Sequence, residues 1–104
     1  MSKPRYHWYG IVKHMTCRYY DMQECHNMQE FIFHDAINKA LEATDKLSYP
    51  DKRKWAIEQV LFLQRRTVAG VAYDLHFSEY TVQRWLNNFI NKVGEYAGFS
   101  INEP

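Results

Sequence analysis

The stretch 67–92, TVAGVAYDLHFSEYTVQRWLNNFINK, limits what this chain can fold into more than any other. Val68, Val71 and Leu75 give a first helix one apolar side, and Ala72 is small enough for a crossing helix to approach closely. His76 and Phe77 form a tight turn. Ser78 caps a second helix by accepting a hydrogen bond from a free backbone N–H, and Val82, Trp85, Leu86 and Phe89 follow at helical spacing. Together these make the pattern of a helix-turn-helix, whose second helix commonly enters the DNA major groove. His76 stands where glycine is frequent, so the turn needs either a left-handed histidine or a different shape.

With that apolar set turned inward, Ser78, Glu79, Tyr80, Thr81, Gln83, Arg84 and Asn87 form the expected DNA-facing set. Arg84 can donate two hydrogen bonds to a guanine edge, and Gln83 or Asn87 can pair with adenine. Ser78 and Thr81 reach phosphate near the helix start, where free N–H groups also favour an anion. Tyr80 suits a phosphate or a thymine methyl, whereas Glu79 suits the helix dipole or a cytosine amine. Lys52, Arg53, Lys54, Arg65 and Arg66 flank the motif as expected phosphate contacts. Each phosphate they neutralise would steepen the salt dependence of binding. Trp55 and Trp85 are expected in the core.

The formal net charge is only +1, so attraction to a polyanion must come from local placement. Residues 1–51 hold six Lys or Arg and seven Asp or Glu, a balance of −1; residues 52–104 hold seven and five, a balance of +2. The basic excess therefore falls in the half that carries the motif. A length of 104 residues with 46% hydrophobic side chains is the composition of a folded domain, and one this small gains from packing against a second copy. No apolar run approaches a membrane span, and MSKPRYHWYG lacks the apolar core of a secretory signal. A cytoplasmic protein with reduced Cys17 and Cys25, and no membrane contact, is the expectation.

Taken in order, the chain predicts an all-α fold of four to five helices with the helix-turn-helix at its C-terminal end. Residues 1–5 read as a loose arm. A first helix is expected over 8–19 and a second over 28–47, with Asn27 as cap and Glu30 as its reciprocal partner. Pro50 punctuates the chain, dividing an N-terminal helical part, 1–49, from a DNA-binding part, 50–104. A third helix over 52–64 presents Trp55, Ile57, Val60, Leu61 and Leu63 as its apolar set. Gly94 and Gly98 end or bend the last helix, and Phe99 and Ile101 tuck back from the tail. The aromatic-rich N-terminal half, including Trp8, Tyr9, Tyr19, Tyr20, Phe31 and Phe33, is the expected homodimer surface.

The span RKWAIEQVLFLQRRTVAGVAYDLHFSEYTVQRWLNNFINKVGEYAGF resembles the C-terminal part of phage transcriptional regulators of the RinA and ArpU type. YGIVKHMTCRYYDM and AINKALEAT are similar to the front half of such proteins. The resemblance covers about residues 9–99 and is strongest over TVAGVAYDLHFSEYTVQRW. It implies a small regulator of late or lysis-related genes, with a region like the promoter-reading domain of sigma factors. Ala72 and Val82 would occupy core positions of the motif, and Ser78, Thr81 and Arg84 its DNA-facing end.

Catalysis and cofactors find little support in the residues. Cys17, Cys25, His26 and His34 lack the short Cys-x(2–4)-Cys knuckle of compact zinc modules. His14 and Cys17 lie at helical spacing, but nothing orients a third group or forms an oxyanion site. The chain is therefore expected to be no enzyme, to need no cofactor or metal, and to regulate transcription on double-stranded DNA. Two other expectations compete with it: a small terminase-like packaging subunit, and a protein-interaction module that contacts RNA polymerase.

Overall fold

The structure, a computed structural model, describes residues 7–99. The chain is all-helical, with α1 Tyr9–Cys17, α2 Met28–Thr44, α3 Pro50–Ile57, α4 Val68–Leu75 and α5 Glu79–Tyr96, and no strand among the described residues. A 3-10 turn, Tyr19–Met22, follows α1, and a π turn, Glu58–Phe62, extends α3. The expected arm at residues 1–5 and the tucked Ile101 lie outside the described residues.

α5 packs against each of the other four helices. Its sequence explains why: Val82, Trp85, Leu86, Phe89, Ile90, Val93 and Gly94 are all buried, a set broader than a single stripe. Val12 and Met15 of α1, Phe33 and Ile37 of α2, Ile57 and Leu61 after Pro50, and Val71 of α4 join them in one core. The turn at Pro50 thus divides the sequence, but the buried side chains run across it. Trp8, Tyr9 and Phe33, expected at a partner surface, belong to this core at 2–5% exposure.

Local chemistry sets the helix ends. Asn27 Oδ1 accepts from the Glu30 N–H at 2.9 Å, as a helix cap should, while Glu30 Oε1 accepts from the His26 N–H at 3.0 Å. The Arg18 guanidinium lies 3.3 Å from the other Glu30 oxygen. The His26 N–H foremost, and Arg18 after it, hold the Glu30 carboxyl below the usual carboxylate range against the opposing effect of burial. Pro50 opens α3 in the first turn, where its missing N–H removes no helical bond.

Three boundaries differ from the sequence reading. α1 ends at Cys17, two residues early, because the chain tightens into the 3-10 turn that drives Met22 into the core at 0% exposure. α2 stops at Thr44, whose hydroxyl donates to the Ala40 carbonyl at 2.9 Å. The third helix is not one regular α-helix over 52–64. Its last turn widens so that the Leu63 N–H reaches the Glu58 carbonyl at 2.8 Å. That widening rotates the face beyond Ile57: Leu61 is buried, whereas Val60 and Leu63 are only half-buried, as is Trp55 ahead of the turn.

Gly94 does not end α5. It lies inside the helix, and a Cβ built there would stand 2.4 Å from Trp8 Cζ3, so the glycine is the space into which the indole fits. Termination comes at Gly98, with φ +100°, where Phe99 N–H bonds the Gly94 carbonyl at 2.9 Å and Gly98 N–H bonds that of Glu95 at 3.1 Å. Phe99 does tuck back, its ring 5.4 Å from Trp8.

Gly94→Ala should therefore destabilise the fold by about 1–3 kcal/mol through overpacking. Trp8→Leu should relieve much of that loss, so urea titrations of the two single variants and the double variant should be non-additive. For Glu30, stability from the depressed carboxyl is full above the range where an unfolded-chain Glu titrates, and is lost as pH falls through the lowered value. Glu30→Gln should flatten the acid side of a Tm-against-pH curve.

Candidate nucleic-acid interface

α4 and α5 are joined by three residues, His76, Phe77 and Ser78. His76 is left-handed at φ 62°, which settles the shape of this turn. The Phe77 N–H bonds the Ala72 carbonyl at 3.0 Å and the His76 N–H bonds that of Tyr73 at 3.3 Å, the pairing that a glycine ordinarily supplies after a helix. Ser78 is extended, and its Oγ accepts from the Thr81 N–H at 3.1 Å. That cap leaves other first-turn N–H groups of α5 facing outward.

An aromatic cluster fixes the turn. The Phe77 ring lies edge-on to Trp85 at 4.9 Å and to Tyr49 at 5.1 Å, so the segment before α3 is fused to the segment before α5. Tyr49 itself is left-handed at φ 51°. Arg53 completes the cluster. Its guanidinium lies 5.2 Å from the Trp85 ring, Nε donates to the Ser48 carbonyl at 2.6 Å and the second amino group donates to Ser48 Oγ at 3.1 Å. This cluster has no signal in the sequence, since its members lie on separate elements and each reads alone as ordinary core or surface.

The predicted contacts consequently separate. Ser78, Glu79, Tyr80, Gln83 and Arg84 are exposed on the outer face of α5, and Thr81 is half-buried beside its cap. Arg84 has no ion pair among the described residues. Asn87 is half-buried and engaged: its Oδ1 accepts from the Tyr9 hydroxyl at 2.6 Å and from Gln83 Nε2 at 3.1 Å. Only its amino group is left to offer a base.

Of the flanking cations, Arg65 and Lys52 are exposed, and the Lys52 ammonium rests 5.3 Å from the Phe77 ring. Arg53 must be withdrawn as a phosphate contact, because the bonds to Ser48 and the Trp85 ring bury it. Burial first, and the neighbouring Arg84 charge second, push its pKa down from the ordinary arginine value. Lys54 is turned to Asp45, and Arg66 pairs with Asp74 at 2.5 Å while lying over Trp55 at 5.2 Å. Tyr73, absent from the expected set, stands 82% exposed on α4. Its signal in the sequence is an aromatic residue placed off the stripe of Val68, Val71, Ala72 and Leu75.

What fold and site define is a small helical domain that presents a polar helix face carrying Arg84 beside a turn packed against aromatic rings. No family model, no curated protein and no solved structure matches the chain.

Trp85→Ala should lower stability by about 3–5 kcal/mol in denaturant titration, since it empties the centre of the cluster. His76→Gly should instead raise it by about 0.5–1 kcal/mol, because glycine adopts the left-handed position without a Cβ clash. A loss on His76→Gly would mean that the imidazole contributes more than its backbone strain takes away.

Proposed function

We propose that this chain is a sequence-specific, double-stranded DNA-binding transcriptional regulator that uses α4, the turn and α5 as a helix-turn-helix. The observation carrying the reading is the division of α5: its inner face is the centre of the core, and its outer face presents Arg84, without an ion pair among the described residues, with Gln83, Tyr80 and the capped first turn. A helix so anchored can be held in the major groove, with Arg84 directed at a guanine edge. Lys52, Arg65 and, on leaving Asp74, Arg66 supply phosphate contacts. The resemblance to phage regulators of the RinA and ArpU type supports the further proposal of a late-gene role in a bacterial host cell, with RNA polymerase as a protein partner.

A homodimer on two half-sites would extend the few base pairs one such helix reads. With Trp8, Tyr9 and Phe33 committed to the core, its surface falls to Met28, Phe31 and Ile32, neighbours along α2 at 72%, 61% and 41% exposure.

Selection of bound duplexes from a random pool tests the reading. A recovered motif, repeated or palindromic, is expected; recovery without sequence preference would overturn it in favour of DNA packaging or protein binding alone. On the selected site, Arg84→Ala should lose about 1–3 kcal/mol and relax base choice at one position. Arg66→Ala should weaken selected and random duplexes alike, and equal losses for Arg84→Ala would refute its base-reading role.

A further inference from the structure

A hollow of about 350 Å³ opens between α3 with its π turn and the 3-10 turn after α1. The rings of Tyr19, Tyr20, Trp55 and Phe62 line it, together with the carboxylates of Asp51 and Glu58. Three of the rings form a close cluster, with Tyr19–Phe62 at 4.7 Å, Tyr20–Phe62 at 5.5 Å and Tyr19–Tyr20 at 5.6 Å. The Tyr20 hydroxyl donates to Glu58 Oε2 at 2.6 Å, which fixes the carboxylate beside the rings. That bond, above all, pushes the Tyr20 phenol up to about 12.

Charge is unbalanced here. Neither Asp51 nor Glu58 has an ion pair among the described residues, and Lys54, the cation on this wall, is drawn off to Asp45. Aromatic faces carry negative potential, and weakly hydrated cations gain most from them. A neutral apolar guest would leave both carboxylates without a counter-charge, and a small metal ion would lose its water to ring faces. Trp55 already takes a guanidinium from this chain, that of Arg66 at 5.2 Å.

We propose that this hollow binds a compact organic cation, a methylated ammonium or a guanidinium group. The aromatic residues that line the hollow cover its apolar surface, and Glu58 and Asp51 supply the counter-charge. The cation can arrive free in solution or on the side chain of a partner protein. The hollow touches the proposed DNA-reading surface only through Arg66, which lies over Trp55.

The test uses the full chain without DNA. Resonances of the Trp55 indole and the Tyr20 ring are followed by NMR during titration with tetramethylammonium, methylguanidinium and the neutral, similarly shaped tert-butanol. The cations should saturate and bind about tenfold more tightly than tert-butanol. Glu58→Gln keeps an acceptor for the Tyr20 hydroxyl and removes the charge; it should weaken the cations about fivefold and leave tert-butanol unchanged. Asp51→Asn provides the same reading should Glu58→Gln lower the Tm. Equal affinity for tert-butanol, no saturable shift at Trp55, or cation affinity indifferent to both variants would overturn the proposal. Short peptides carrying trimethyl-lysine or arginine distinguish the source. Tighter binding than the free cation assigns the site to a partner's side chain, and equal binding assigns it to a free cation.

Discussion

The Arg53 guanidinium over the Trp85 ring is the contact on which the C-terminal half depends. Trp85 lies on α5, Arg53 on α3, and the bonds from Arg53 to Ser48 pull in the turn that ends α2. Phe77 and Tyr49 close the same cluster from the turn before α5 and the turn before α3. Two loops that would otherwise move separately therefore share one rigid set of rings. The tilt of α5 against α3 is thereby set by packing near its start, which is what the proposed groove-reading role requires.

The fold was legible where one period governs a long segment. Val82, Trp85, Leu86 and Phe89 read as the inner face of the last helix, and all four are buried. Asn27 reads as a cap from its type and from Glu30 three residues on, and its side chain makes that bond. Legibility failed where a helix changes type. A strict 3.6-residue period carried through Glu58–Phe62 predicts a continuous apolar face, yet the π turn adds a residue to that revolution and leaves Val60 and Leu63 half-buried. Gly94 reads as a helix end because glycine usually breaks or ends helices, whereas here it answers to the volume of Trp8, 86 positions away.

For the candidate site, sequence identified the exposed face of α5 but not the commitments of its neighbours. Solvent-side polarity is a property of one helix and can be read from that helix. Whether a cation is free depends on partners distant in sequence: Asp45 for Lys54, Ser48 and Trp85 for Arg53. Asn87 shows the same limit, because Tyr9, from the opposite end of the chain, takes its carbonyl oxygen. A side chain's type states what it can bind, and only the fold states what remains of that capacity.

Withdrawing Arg53 from the surface does not remove its influence on an anion there. An arginine stays protonated even with its pKa pushed down, so its charge persists beneath the turn, close enough to Arg84 to register as repulsion. An anion placed over Arg84 is attracted by the Arg53 charge as well as by Arg84 itself. Lys52 adds a third cation against the same ring cluster. On this proposed interface a chain of net charge +1 gains its affinity for a polyanion from concentration of charge at the start of one helix. The ring beneath Arg53 and the carbonyl and hydroxyl acceptors at its nitrogens offset the cost of burying that charge.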